Sequence, residues 1–481
     1  MKPNLLLSAA ALLLGACITV GPDHEPPARE LAPEWSASAE GTLPSAPAEL
    51  AGWWQRLEDP QLDALVARAL LGSLDLRVAL ARVREARALR GVAEGELYPT
   101  VDGQLAWRRS GESENTPLGE FVPDTEITSA GFDAAWELDL WGRVRRSVEA
   151  ADAELEATVE DLRGVAVTVA AEVARSYVEL RAFQRRLELA RRNVELQQET
   201  LALVTARQEA GLVGEIDVAQ ARTNVATTRS RVPALEAGLR AAENRLAVLL
   251  GAAPGALAAE LATPAPIPVP PVTVAVGVPA DLLRRRSDVR AAERLLAAET
   301  ARIGVAEAEL YPRLTLFGTL GVAAEETGDL FEDASGVFGL GPSLRWTLFD
   351  GGRRRAVIAA QEARSQQALL GWETVVLLAL EESEGAMTRF VREQARLADL
   401  REAADQARRS VELARTQYTE GLSDFQAVLV SERALAELED ELTTSESGVT
   451  THLVALYKAL GGGWEEGPLA EALSGALAAA D

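Results

Sequence analysis

Apolar residues recur in steps of four and three along a stretch that begins at Arg143: Leu155, Val159, Leu162, Ala166, Val169, Val173, Ser176, Leu180, Phe183, Leu187, Ala190, Val194, Gln197, Leu201 and Val204. Only Ser176 and Gln197 are polar. No proline falls between Arg143 and Ala210. A seam of this period predicts one continuous helix packed against a partner, about 100 Å long at 1.5 Å per residue. Moving 210 positions along the chain gives the same seam again, through Leu369, Trp372, Val376, Ala379, Ser383, Ala386, Phe390, Glu393, Leu397, Leu400, Ala404, Ala407, Val411 and Ala414. A glycine follows each long run, Gly211 in the first and Gly421 in the second. After Gly211 a returning helix carries its own seam, including Val218, Ala221, Val225, Leu235, Leu239, Leu246 and Leu249. Pro233 lies inside that return and is expected to kink it or interrupt its hydrogen bonds.

Ahead of each long helix the period changes from 3.5 to two. Val101, Gly103, Leu105 and Trp107 share one face against Asp102, Gln104 and Arg108, and Phe132, Ala134, Trp136 and Leu138 oppose Asp133, Glu137 and Asp139. In the second half Leu314, Leu316, Leu320 and Val322 oppose Thr315 and Thr319. Phe338, Leu340, Leu344, Trp346 and Leu348 oppose Ser343 and Arg345. Alternation over about ten residues with aromatics near the ends (Tyr98, Trp141, Tyr311, Trp346) suits transmembrane β-strands. A half-buried soluble sheet gives the same alternation. Four strands cannot close around a pore, and an open edge in lipid leaves backbone groups unpaired. Spanning strands would therefore require an oligomer.

The chain is written twice. ELYP occurs at 96–99 and at 309–312, each time after a helical run that its proline ends and before an alternating segment. WELDLWGR (136–143) pairs with WTLFDGGR (346–353), AGLV (210–213) with EGLS (420–423), and Gly251 with Gly461, each 210 apart. The resulting division is a signal peptide at 1–16, an extended segment at 17–52, a first repeat at 53–263, a proline-rich linker at 264–280, a second repeat at 281–463 and a tail at 464–481. Within the repeats the strands are expected at about 100–140 and 313–349, and the long hairpins at about 141–251 and 351–461.

Composition narrows the function. The 481 residues carry a net charge of −25, which argues against a nucleic-acid partner. The N-terminus has Lys2, an apolar run from Leu5 to Ala16 too short to span a bilayer, then LLGAC and a polar stretch. This reads as a signal peptide. Small residues before the sole cysteine, Cys17, resemble the bacterial lipobox, with Cys17 lipidated as the mature N-terminus. Ile18 in the next position, in place of an Asp, favours the outer membrane. The chain has two histidines, His24 and His452, and no second cysteine. No metal-ligand cluster, nucleophile elbow, phosphate loop or dinucleotide fingerprint is present, so no enzyme, metal or cofactor is expected. The basic runs RRRS (284–287) and GGRRR (351–355) read as solvated helix starts.

The lipobox, GPDHEPP, WWQRLEDPQLDALV, WELDLWGRVRR, the run from Gly277 to Gly318, WTLFDGGRRR, YTEGLSDF and LYKALGGGWE together resemble the TolC-like outer membrane factors, in the lipoprotein branch serving RND-type tripartite efflux systems. The resemblance covers nearly all of the mature chain. It implies a mostly α fold with a transmembrane β-barrel: a homotrimer with a 12-stranded barrel in outer membrane lipid and a 12-helix periplasmic tube. The implied partners are a periplasmic adaptor and an inner-membrane pump. The implied function is a passive conduit for drugs or other small molecules. A type I secretion component and a lipid-anchored coiled-coil spacer are the rival readings.

Two sets of residues near the hairpin turns follow as candidates. Gly211, Leu212, Val213, Gly421, Leu422 and Ser423 would meet the adaptor, with Leu212 and Leu422 as exposed apolar anchors. Tyr418, Glu420, Asp424, Glu215 and Asp217 would line the periplasmic aperture. With Glu209 and Glu432 they make the turns acidic, with no base between 208 and 221 or between 416 and 432. Symmetry would turn lumen-facing acids into cation-selecting rings. Many relatives hold the tube shut with a Tyr-Arg pair against an Asp twelve residues after the Tyr. Here Tyr418 is kept, but Thr419 and Val430 stand at the other two positions, so that salt link cannot form.

Overall fold

The computed structural model describes residues 18–36, 43–44, 46, 48–113, 115–116, 123–271 and 274–478. The expected signal peptide and Cys17 lie outside the described residues. The chain is mostly helical: α1 (Pro60–Gly72), α2 (Leu74–Gly95), β1 (Thr100–Ser110), β2 (Thr125–Leu138), α3 (Arg143–Glu209), α4 (Glu215–Leu249), α5 (Ser287–Ala308), β3 (Arg313–Ala324), β4 (Gly336–Arg345), α6 (Arg353–Thr419), α7 (Phe425–Ala459) and α8 (Pro468–Ala478). The two long helices have 67 residues each and their returning partners 35 each. α4 continues through Pro233. The proline lacks the N–H that would donate within the helix, the expected interruption of its hydrogen bonds, and the helix does not end there.

The chain divides into two compact units, each drawn from both repeats. One holds the described residues of 18–28, 84–158 and 291–373 and includes the sheet. β1, β2, β3 and β4 pair antiparallel in chain order, leaving β1 and β4 as open edges. The register puts Gly103 beside Phe132, Phe132 beside Leu320 and Leu320 beside Phe338. The apolar positions thus form one continuous face, and Leu105, Phe132, Leu320, Phe338 and Leu340 on it are exposed. On the other face Asp133 accepts from Gln104 Nε2 at 2.6 Å and from Thr319 Oγ1 at 2.7 Å. β4 ends at Arg345, so Trp346 and Leu348 lie beyond the strand rather than on it.

The repeated ELYP acquires a structural role here. Trp136 Nε1 donates to the Leu97 carbonyl at 2.9 Å, and Trp346 Nε1 donates to the Leu310 carbonyl at 3.0 Å. Each half thereby ties the tryptophan near the end of its second strand to the turn before its first. Trp141 adds a link between halves: it stacks on Tyr311 with ring centroids 4.6 Å apart and donates to the Pro312 carbonyl at 2.9 Å. In GGRRR, Arg354 bonds the Asp350 carboxylate at 2.7 Å and the Glu309 carbonyl. Arg354 is therefore spent on the same junction, while Arg353 and Arg355 are exposed.

The second unit holds residues 29–83, 159–290 and 374–481. The seam residues of both long helices fill its interior: Leu162, Ala166, Val173, Ser176 and Leu180 from α3, and Val376, Ala379, Ser383, Ala386 and Phe390 from α6, are all buried. Trp53 stacks on Tyr457 at 5.4 Å. Asp59 caps α1 through the Gln61 and Leu62 N–H groups. Arg181, only 1% exposed, bonds Gln184, Tyr177 and the Thr263 carbonyl, joining α3 to the chain before the proline-rich segment. That segment is held in turn by Thr450 Oγ1, which donates to the Pro268 carbonyl at 2.8 Å. In RRRS, Arg286 bonds the Ala459 carbonyl, Asp288 and Glu382. His452 is half-buried in α7, and burial pushes its pKa down.

Candidate functional site at the hairpin turns

Both long helices end in one backbone device. Gly211 adopts φ 77°; its N–H donates to the Gln208 carbonyl at 2.9 Å and the Leu212 N–H to the Arg207 carbonyl at 2.9 Å. At the second turn Gly421 has φ 76°, with Gly421 to Tyr418 at 3.1 Å and Leu422 to Gln417 at 2.8 Å. This Schellman pattern needs a left-handed residue, which glycine supplies without steric cost. It satisfies the last carbonyls and reverses the chain in a few residues. Leu212 and Leu422 come out 66% and 75% exposed, as the sequence predicts. Val213 and Ser423 are half-buried.

The returning helices start differently. Asp424 is extended and its carboxylate accepts the Ala427 N–H at 3.1 Å, capping α7. Gly214 holds the matching place before α4 and offers no side chain, while Glu215 and Asp217 put negative charge in the first turn of that helix.

The two hairpins then pack on one another. Val204, Val218 and Ala221 from the first join Ala414, Tyr418, Phe425, Val428 and Leu429 from the second in one buried cluster. Tyr418, 2% exposed, lies with its ring centroid 5.8 Å from that of Phe425. Arg207 crosses from the first hairpin: its guanidinium lies 4.5 Å above the Tyr418 ring, and its Nη1 donates to the Tyr418 carbonyl. Burial raises the Tyr418 pKa, and Arg207 opposes that shift.

Five of the six acids near the turns are open to solvent to some degree: Glu209, Glu215, Glu420 and Asp424 are exposed and Asp217 is half-buried. Glu432 departs from the expectation. It is 3% exposed and cannot face a lumen. Its carboxylate accepts from Thr200 Oγ1 at 2.6 Å and Asn224 Nδ2 at 3.3 Å, with Arg415 Nε at 3.4 Å. Residues of α3, α4, α6 and α7 thus meet at one carboxylate, and burial pushes its pKa above the ordinary glutamate value. Seven residues on, Glu439 is contacted by Asn193 Nδ2 at 3.3 Å and Arg408 Nε at 3.1 Å, repeating the layer one heptad away.

Sequence reasoning missed Arg207, which lies one residue outside the base-free window, and the Glu432 layer. The layer did leave a signal. Glu432, Glu439 and Glu446 step by seven along one helix, while Arg415, Arg408 and Arg401 step by seven along its antiparallel partner. Thr419 is exposed and donates to the Thr416 carbonyl at 2.8 Å, and Val430 is exposed. Neither carries a charge that could join a latch. Among the described residues, no group of three or more His, Cys, Asp or Glu is placed to hold a metal, and no helix is long and apolar enough to cross a membrane.

The model of the family described as "Outer membrane efflux protein" matches residues 65–252 and 278–462. Nodulation protein T of Rhizobium leguminosarum bv. trifolii is 31% identical, with 96% of this chain and 97% of that protein covered. Pyoverdine export outer membrane protein OpmQ of Pseudomonas aeruginosa is 33% identical over 96% and 97%. The solved outer-membrane channel OprN superposes with a TM-score of 0.87 at 38% identity, covering 93% of this chain and 100% of that one. The duplicated fold, the open-edged sheet and these likenesses agree: the chain belongs to the outer membrane efflux protein family, the TolC-like outer membrane factors, which are conduits rather than enzymes.

Proposed function

We propose that three copies of this chain close their sheets into one 12-stranded barrel in the outer membrane and work as the passive exit duct of a tripartite efflux system. The observation that carries this reading is the sheet itself. It has two unpaired edges and a continuous exposed apolar face. Lipid would solvate that face, and edge-to-edge closure would satisfy the backbone. Cys17 carries the lipid anchor in this reading. The energy for transport comes from an inner-membrane RND-type pump, reached through a periplasmic adaptor.

The turns are the adaptor contact. Gly211, Leu212, Val213, Gly421, Leu422 and Ser423 present two exposed leucines on rigid Schellman turns, where an adaptor's own hairpin can bury them. Glu215, Asp217, Glu420 and Asp424 surround the periplasmic aperture, with Tyr418 packed behind it. The cargo is small molecules, a class consistent with the pyoverdine export named for OpmQ. The test replaces Leu212 and Leu422 singly with Asp in a strain that depends on this chain for export. Export should fall several-fold while trimer yield is unchanged; unchanged export in both variants removes the turns from the contact.

A further inference from the structure

Three separate stretches of the sequence meet at one place. Gly21 belongs to GPDHEPP, Arg146 to WELDLWGRVRR and Gly304 to the helix before the second ELYP. Arg146 is 3% exposed. Its Nε donates to the Val20 carbonyl at 3.1 Å, its Nη2 to the Gly21 carbonyl at 3.1 Å and to Asp23 Oδ1 at 2.7 Å, and its Nη1 to Glu149 Oε2 at 2.8 Å. The guanidinium therefore spends most of its donors on the chain's own N-terminal segment. The backbones of Gly21 and Gly304 cross so closely that a Cβ on Gly21 would sit 2.3 Å from the Gly304 Cα, and one on Gly304 would sit 2.7 Å from the Val20 carbonyl oxygen. The Val20 N–H completes the site by donating to the Trp141 carbonyl at 3.1 Å.

We infer that Gly21, Arg146 and Gly304 form a dock for the N-terminal segment, and that this dock fixes where the chain's lipid anchor enters the membrane. The second half of this statement rests on the lipidation of Cys17 proposed above. The reach is short. Cys17 is three residues from Val20 in sequence, and three residues span at most about 11 Å of fully extended chain. Trp141 follows β2 and stacks on Tyr311 just before β3. The dock therefore delivers the acyl chains at the strand-to-helix junction, where a bilayer surface would lie around spanning strands, and keeps the lipid from being sequestered elsewhere on the protein. Arg146 is a positioning residue in this account. Lysine cannot replace it, because a single ammonium cannot reach two carbonyls and a carboxylate in that fixed fan.

The test uses the single cysteine. In Cys17→Ser with Ile18→Cys, a spin label at position 18 reports the segment, and Arg146→Ala or Gly304→Ala is added to it. Arg146→Ala leaves Glu149 and Asp23 as solvent-reaching carboxylates, so folding should survive. The parent should give an immobilised spectrum, and each added change should convert it to a mobile one. An equally immobile label in both variants would overturn the dock. Mass analysis of the wild-type N-terminus separates the two claims. An unlipidated Cys17 with an immobile label would keep the dock and remove its role in anchoring. A lipidated Cys17 whose label-18 counterpart is mobile in the parent would keep the anchor and remove the dock.

Discussion

The two hairpin turns share a backbone and differ in nearly every side chain that matters. Gly211 and Gly421 have the same φ and the same pair of turn hydrogen bonds. Yet the residues matching Tyr418 and Phe425 in the first hairpin are Gln208 and Glu215, both exposed, whereas Tyr418 and Phe425 are buried. The first hairpin contributes Arg207, which lies over Tyr418; its counterpart in the second is Gln417. The second contributes Asp424 as a cap where the first has Gly214. Duplication preserved what the turn geometry requires, and divergence assigned opposite roles. The second hairpin supplies an aromatic wedge, and the first supplies the polar surface and the cation that cover it.

The largest effect should come from removing the wedge. Phe425→Ala deletes a buried aromatic, a change that costs about 3–5 kcal/mol. The loss should appear as faster amide exchange at both turns. Glu215→Ala, at the matching place in the first hairpin, should stay within about 0.5 kcal/mol. Equal effects at the two positions would erase the asymmetry.

Glu432 comes next. Glu432→Ala removes the buried carboxylate on which Thr200, Asn224 and Arg415 converge and should lower turn protection by about 1–3 kcal/mol. Because burial raises the Glu432 pKa, the folded hairpins favour the protonated acid. This contribution is fully present below the ordinary glutamate value and is lost as pH rises through the raised one. Turn protection should therefore increase on acidification toward about pH 4.5. Glu432→Gln should remove that pH dependence and leave stability at neutral pH equal or higher, since a neutral isostere avoids burying the charge. A pH profile that survives Glu432→Gln would assign the titration to another group.

The smallest stability effect concerns the cap. Asp424→Ala should cost about 0.5–2 kcal/mol of local helix stability, while Asp424→Asn keeps the cap and removes only the charge. Changing Gly214 to Ala should do little, because no side-chain cap exists there to lose. Local melting of the start of α7 in Asp424→Asn, read by amide exchange, would contradict the capping role.

Much of this architecture is written locally and is legible for that reason. The 3–4 seams of α3 and α6 bury most of the residues they name, including the polar Ser176 and Gln197, while Leu155, Val159, Phe183, Val194, Leu201, Leu369, Glu393 and Leu400 are half-buried. Glycine at a helix end predicts its turn, and period-two alternation predicts the sheet's apolar face. Contacts distant in sequence are what the pattern hides. The tie from Trp136 to the Leu97 carbonyl crosses 39 residues. Arg207 reaches Tyr418 across 211, and a window of acids that stops at Gln208 misses it by one position. From sequence Glu432 reads as one of the solvated acids near the turns, because a carboxylate on a helix is usually solvated; its burial follows from three other helices bringing Thr200, Asn224 and Arg415 to it. The overrun of β4 to Leu348 has a simpler cause. Alternation continues past Arg345, but pairing with β3 stops there.

The central claim is that these chains assemble into an open-ended duct, and electrical recording of the purified oligomer in planar bilayers tests it most directly. Under a salt gradient we expect stepwise conductance with the reversal potential of a cation-selective pore, the outcome that the proposed aperture ring of Glu209, Glu215, Glu420 and Asp424 calls for. Asp424→Asn should shift that potential toward zero while conductance persists. A protein that inserts stably and leaves the bilayer insulating would contradict the duct, and an anion-selective pore would contradict the acidic aperture.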